Sequence, residues 1–434
     1  MNFTSTRNHQ LSVNFEEAVY RGLAPDSGLF VPENFPQLPA DFISSLPSHS
    51  LLTIANHIIS NFISDIPTDD RQKIIEKTLS FPIPLVHLEK NLYLLEVFHG
   101  PTLAFKDVGA RFMANVLSYF ATLEHKKVTI LVATSGDTGS AIAHAFHRAP
   151  NIDVFILFPA NKISRLQEKQ MTTFGDNIHP LAVNGTFDDC QRLVKTALAD
   201  DHIKSEKILT TSNSINIARL LPQMIYHAWG LAQLKTAGIN HSPTMVIPCG
   251  NLGNLTSAVY AQKIGFHIAD FLAASNQNSV FSDYLSSGLY EPRPSQKTHA
   301  NAMDVGNPSN FERLLDVFDH SNAAIRQIIK GCTISDKEIL DEIKSTYEST
   351  HYILDPHTAV GVASARQQLN HDNTVIITAT AHPAKFPEVI QQAINIDIEL
   401  PVQLQRVLSL PMSSENIGSD YKGLQSLLRS TIQK

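Results

Sequence analysis

A lysine forms a covalent imine with an aldehyde only while its amine is uncharged, and one lysine of this sequence sits where the uncharged form is favoured. In HGPTLAFKD a turn, His99-Gly100-Pro101, precedes the apolar residues Leu103, Ala104 and Phe105, and then Lys106 opens an amphipathic helix. Apolar neighbours and the positive end of a helix both disfavour an ammonium ion. Asp107 is expected to serve as the N-cap of that helix. Set against this is the plainer alternative, a surface lysine snorkelling from an apolar stem.

Two glycine-bearing loops follow strands and lead into helices. TMVIP-CGNLGN-LTSAVYA places Gly250, Asn251, Leu252, Gly253 and Asn254 at such a junction. Backbone N–H groups converging there on the positive end of a helix make an anion cup. The loop lacks both the lysine of a nucleotide phosphate loop and the glycine spacing of dinucleotide sites, so a cofactor with one phosphate suits it better. KVTILVATSGDTGSAIAHAF repeats the plan with Thr134, Ser135, Gly136, Asp137 and Thr138, a second anion site for a substrate carboxylate or phosphate. Ordinary strand-to-helix turns, with glycines for geometry, remain the alternative for each.

In TTSNSINIARLLPQ, Asn213, Ser214, Asn216 and Arg219 open another helix, and Arg219 could reach anionic oxygens near its start. Capping by Asn213 or Ser214, with Arg219 in a salt bridge, competes with that reading. Thr380 follows the apolar strand in TVIITATAHPAKF, at the carboxyl end where α/β sheets place ligands. Its hydroxyl could face a pyridine nitrogen or simply cap the next turn. His382 reads as a turn residue, and neither it nor His99 has a neighbour that marks a catalytic triad.

Positioning these groups requires strands that end together. The runs LYLLEVF, KVTILVA, DVFILF, TMVIP, DFLAAS and TVIITAT, each followed by a helical pattern, predict an α/β fold with mostly parallel strands. Val108, Phe112, Val116 and Phe120 predict a helix beginning after Lys106. The first 90 residues differ: proline-rich loops alternate with helical periodicity in SLLTIANHIISNFI, which predicts a small α-rich N-terminal domain. The catalytic region is then 91–434, two nested parallel-sheet lobes, the smaller around 107–200. EPRPSQKTHA reads as an exposed loop.

The 434 residues exceed one hydrophobic core. The formal charge of -7, without long charged runs, disfavours nucleic acid and anionic membranes as partners. Cys190, Cys249 and Cys332 lie far apart and suggest neither disulfides nor a zinc site, and no metal site is expected. A reducing cytoplasm fits. No apolar stretch predicts export or membrane insertion.

Taken in order, FHGPTLAFKD, TSGDTG, NSIN with its arginine, GNLGN and TAHPAKF resemble the threonine synthases in their longer bacterial and fungal form. NFEEAVYRGLAPDSGLF and NAMDVGNPSNF extend the likeness over nearly the whole chain. The resemblance implies the tryptophan-synthase-β fold (fold type II), pyridoxal 5'-phosphate as cofactor, and conversion of O-phospho-L-homoserine and water to L-threonine and phosphate by a monomer or homodimer. It implies Lys106 as the Schiff-base lysine, Gly250 to Asn254 around the cofactor phosphate and Thr380 at the ring nitrogen. Thr138, Asn213, Ser214 and Arg219 would take the substrate phosphate, and the loop Ser135 to Thr138 the carboxylate. Relatives commonly read SGNFGN where this chain has Cys249 and Leu252, and many enzymes of this fold carry asparagine at the place of Asp137. Serine and threonine dehydratases on the same fold, and a silent metabolite-binding homologue, are the rival readings.

Overall fold

The structure is a computed structural model and describes residues 1–369 and 373–430. Strands β1 (Phe3–Ser5), β2 (Asn8–Val13) and β3 (Phe30–Pro32) form a small antiparallel sheet in the order β2-β1-β3. Helices Leu51–Phe62 and Thr68–Thr78 follow it in the chain and pack on each other, the first capped by Ser50, which accepts from Thr53 N–H. Helices were expected in this region and the sheet was not. Its strands are three to six residues long, and β2 is mostly exposed, so little hydrophobic alternation announces it.

Strands β4 (Leu85–Glu89) and β5 (Leu92–Glu96) begin the larger sheet; β6 (Val128–Ala133), β7 (Ile152–Pro159), β8 (Ile178–Val183) and β9 (Ile208–Thr211) belong to the smaller. Strands β10 (Thr244–Pro248), β11 (Phe271–Ser275), β12 (Ile329–Thr333) and β13 (Val375–Ala379) complete the larger sheet in the order β12-β11-β10-β13-β5-β4. Strand β14 (Glu415–Ile417) returns to the smaller one, whose order is β14-β8-β7-β6-β9. Every pairing in these two sheets is parallel except β4 with β5. β6, β10 and β13 are buried at every residue, which is why they read as unbroken apolar runs rather than alternating ones.

Register brings the loops together. β5 runs parallel to β13 with Glu96 opposite Ala379, so the segments that follow, toward Lys106 and Thr380, leave the sheet side by side. β6 runs parallel to β9 with Leu131 opposite Thr211, so residues 134–138 leave beside Asn213. A loop at such a shared carboxyl end is where an open α/β sheet receives ligands.

Helix Lys106–Leu123 buries Val108, Phe112, Val116 and Phe120 in one row, each contributing roughly 1.5–3 kcal/mol of apolar burial. Its start differs from expectation: Phe105 occupies the N-cap position without a side-chain bond, and Asp107 lies inside the first turn. The Asp107 carboxylate turns back to accept from Thr102 N–H at 2.9 Å and Thr102 Oγ1 at 2.7 Å. It therefore pins the turn before Lys106 instead of capping the helix.

Candidate active site

Lys106 stands between the two sheets with its side chain 15% exposed. The segment that carries it is held against the β13 end: Phe105 N–H donates to Thr380 O at 2.8 Å, His382 N–H donates to Leu103 O at 3.1 Å, and Ala104 bridges Ala381. Burial lowers the pKa of the amine. Asp137, whose Oδ2 lies 3.5 Å from Nζ, acts in the opposite sense, while Lys385 and Arg219 reinforce the lowering.

Among residues 134–138, the Thr134 hydroxyl turns inward and accepts from Gly136 N–H at 2.9 Å and Gly139 N–H at 2.8 Å. Gly136 has φ +137°, and a Cβ there would meet the Gln167 side chain at 2.5 Å, so the loop shape depends on glycine. The Ser135 and Thr138 hydroxyls carry no protein hydrogen bond among the described residues. Asp137 opens helix Asp137–Phe146 and is buried, with Oδ1 accepting from Gln167 Nε2 at 3.2 Å and lying 2.8 Å from Lys385 Nζ. Burial alone would raise its pKa; Lys385, Lys106 and His357 hold the carboxyl well below the usual range instead.

The loop 250–254 is braced from several sides. Asn251 Nδ2 donates to Ser214 Oγ at 2.6 Å, its Oδ1 accepts from Ser309 N–H, and its carbonyl accepts from Asn310 Nδ2 at 2.9 Å. A Cβ at Gly250 would lie 3.0 Å from Ala302 O and Met303 Cα, so a second backbone crosses close behind the loop. Leu252 is buried in a left-handed conformation, φ +60°, directly before helix Gly253–Lys263. Asn254 Oδ1 accepts from Tyr226 OH at 2.8 Å, and its Nδ2 is buried without a partner among the described residues. Cys249 points back into its strand, donating to Ile247 O, and burial pushes its thiol pKa up.

The polar cluster divides by task. Asn213 extends the β6–β9 pairing: Oδ1 accepts from Ala133 N–H at 3.2 Å and Nδ2 donates to Ala133 O at 2.8 Å. The cap expected of Asn213 or Ser214 is supplied by Asn216, which accepts from Ala218 N–H ahead of helix Ile217–Leu220. Arg219 is buried; Nη1 donates to Ser212 O, and Nε has no partner among the described residues. A Cβ at Gly109 would lie 3.1 Å from that Nε. Gly109 is three residues past Lys106 and so shares its helix face, which puts the guanidinium over the same face as the amine. Burial pushes the Arg219 pKa down to about 10, with Asp107 opposing.

Several residues here had no place in the sequence reading. Lys385 lies in the TAHPAKF motif, but nothing in its spacing tells a buried lysine from an exposed one. Arg313, fully buried, donates to Phe30 O, Ser214 O, Ile215 O and Asn310 Oδ1, joining the N-terminal domain to the loops. His357 Nδ1 bonds Asp355 Oδ1 at 2.8 Å while its Nε2 accepts from Ala302 N–H, which orients the ring behind Gly250. His382 is a turn residue as expected, accepting from Ala384 N–H. His99 differs from expectation in having a carboxylate partner, Glu96 Oε2 at 2.6 Å.

Residues 2–79 match the family described as threonine synthase N terminus, 77–380 that of pyridoxal-phosphate dependent enzymes, and 358–428 that of threonine synthase, C-terminal. The threonine synthase of Buchnera aphidicola subsp. Baizongia pistaciae is 39% identical over 430 residues, 99% of each chain. The chain belongs to the threonine synthase family. Two solved threonine synthases share its fold: that of Escherichia coli, with TM-score 0.94 and 37% identity over 99% of this chain and 100% of the other, and that of Brucella melitensis with pyridoxal phosphate bound, with TM-score 0.93 and 33% identity over the whole of both. The expected fold is thereby established, with nested lobes and a small N-terminal domain, and so is a pyridoxal-phosphate-dependent lyase acting as a threonine synthase on a small molecule. No helix among the described residues is long and apolar enough to cross a membrane.

Proposed function

We propose that Lys106 is the residue that carries pyridoxal 5'-phosphate, and that the substrate is O-phospho-L-homoserine, converted with water to L-threonine and phosphate. The observation that carries this is the buried amine of Lys106, its pKa lowered, between two strand-to-helix loops at the carboxyl ends of two parallel sheets. The surrounding residues fit the cofactor. The backbone at 302–303 crosses too close behind Gly250 for a side chain there, Asn254 Nδ2 is buried without a partner among the described residues, and the Thr380 hydroxyl has no protein bond among them.

When bound, the cofactor supplies an electron sink for charge that develops on substrate carbons. The N–H groups of Gly250, Asn251, Leu252, Gly253 and Asn254 hold its phosphate at a helix start, and Thr380 offers a neutral hydroxyl to the ring nitrogen. Lys106, once its amine is free, takes the proton from the substrate Cα. Ser135 and Thr138, with the N–H of Asp137 at the helix start, bind the substrate carboxylate. Arg219, with Thr138 and Ser214, stabilises charge that grows on the departing phosphate. Thr134 and Asn213 shape the loops that present these groups. Division near residue 90, a reducing cytoplasm and a monomeric or homodimeric state belong to the same proposal; the three buried, unpaired cysteines support the compartment.

Borohydride reduction followed by peptide mass spectrometry tests the assignment, with a pyridoxyl group expected on Lys106. Phosphohomoserine is expected to yield threonine and phosphate in equal amounts. Lys106→Ala is expected to lose the cofactor's visible absorbance and to lower turnover by about 10²- to 10⁴-fold. A label on another lysine overturns the assignment; release of a keto acid in place of threonine selects the dehydratase reading.

A further inference from the structure

Lys385 belongs to the turn Pro383–Lys385 that follows β13, and its side chain has no exposed surface. Nζ donates to Thr102 O at 2.9 Å and lies 2.8 Å from Asp137 Oδ1. The other oxygen of the same carboxylate, Oδ2, is 3.5 Å from Lys106 Nζ. One carboxylate of the smaller lobe thus stands between two amines carried by the segments that follow the neighbouring strands β5 and β13 of the larger. With both amines protonated, the three groups would hold a net positive charge in a site nearly closed to water. The amine with the weaker hold on Asp137 is the one that gives up its proton. That amine is Lys106, whose contact is at the limit of a hydrogen bond, whereas Lys385 has a short ion pair and a carbonyl.

We propose that Lys385 is a positioning residue that satisfies the charge of Asp137 so that the Lys106 amine can stand uncharged beside it. An unbalanced Asp137 would do the opposite, because a buried carboxylate with one amine in reach keeps that amine protonated, and an ammonium has no lone pair for an aldehyde or for a substrate proton. The remaining charged and titratable groups around the pair are Asp107 on the helix of Lys106, Arg219 from helix Ile217–Leu220, and His357 from helix Pro356–Gln368, with His382 in the turn of Lys385. None of them replaces Lys385: Arg219 is engaged with Ser212 O, and His357 with Asp355.

The inference rests on Lys106 being the cofactor-bearing amine, and the test separates the two. The full chain, freed of cofactor, is labelled with acetic anhydride across a pH series, and acetylation of Lys106 is quantified by peptide mass spectrometry. Lys385→Met is expected to raise the pH midpoint of labelling by about one to three units, the scale of one unopposed neighbouring charge. Lys385→Met with Asp137→Asn is expected to bring the midpoint back to the wild-type value or below. Lys385→Gln keeps a donor for Thr102 without the charge and carries the same expectation if the methionine variant does not fold. In the loaded enzyme, the pH dependence of the cofactor's visible absorbance should move in the same sense. A midpoint unmoved in the single variants, or still raised in the double variant, overturns the proposal. Borohydride trapping on wild-type Lys106 decides the prior assignment on its own: a trapped lysine with an unmoved midpoint sinks only the role of Lys385.

Discussion

The loops at 134–138 and 250–254 share a plan, strand then loop then helix start, and differ in what holds them. The second is tied on its outside: Asn251 is bonded to Ser214 and Ser309, its carbonyl to Asn310, and Asn254 to Tyr226, while Leu252 is fixed in a left-handed turn. The first is tied from within through Thr134 and from outside at Asp137, which meets Gln167 and Lys385, while its Ser135 and Thr138 hydroxyls carry no protein bond among the described residues. A group that stays through many turnovers is best seated on a backbone locked by its neighbours. A substrate that comes and goes needs donors whose bonds are not already made, since a bond to substrate that merely replaces a protein bond adds little. The contrast supports the proposal that the braced loop seats the cofactor and the open loop receives the substrate.

Arg219→Ala should break the contrast most severely if it is misdrawn. Arg219 is placed with the capture groups, so kcat/KM for phosphohomoserine is expected to fall by about 100-fold, the scale of losing one donor to a growing charge. Cofactor affinity, read by absorbance titration of the apo chain, should stay within about twofold of wild type. A loss of cofactor affinity with little change in kcat/KM would move Arg219 to the seat.

How much of this could be read from residues alone follows from what each signal encodes. Lys106, both loops and the helix beyond Lys106 were legible because they rest on local chemistry: an apolar run before a lysine, glycines between strand and helix, and an apolar repeat every four residues. Strands β8, β9, β12 and β14 were not, because they are short or carry polar and proline residues, and β14 is placed only by its pairing with β8, more than 230 residues earlier in the chain. The task of Asn213 was equally hidden. Its amide completes a strand ladder that exists only once β6 and β9 are parallel neighbours. The buried state of Lys385 and the partners of Arg313 belong to the same class, set by segments that meet across the fold.

Gly250→Ala sharpens the other half of the contrast. The new methyl would come within 3.0 Å of Ala302 O and Met303 Cα, both backbone, so the loop must move rather than the neighbour. Pyridoxal phosphate affinity is expected to weaken by about 10-fold, with the KM for phosphohomoserine of the saturated enzyme nearly unchanged. An unaltered cofactor titration would mean that this loop is not the phosphate seat.

Thr138→Ala carries the smallest effect and the most discriminating one. Its hydroxyl has no protein partner among the described residues, so its removal should leave the melting temperature and the cofactor titration unaltered. The KM for phosphohomoserine should still rise by about 5- to 10-fold, the scale of one hydrogen bond of roughly 1 kcal/mol. Thr134→Ala in the same loop should behave in reverse, because that hydroxyl holds Gly136 and Gly139 and its loss costs about 1–3 kcal/mol of stability before any substrate arrives. If both variants lose stability alike, the loop is a folding turn throughout, and the distinction between a braced seat and an open capture site fails at the smaller lobe.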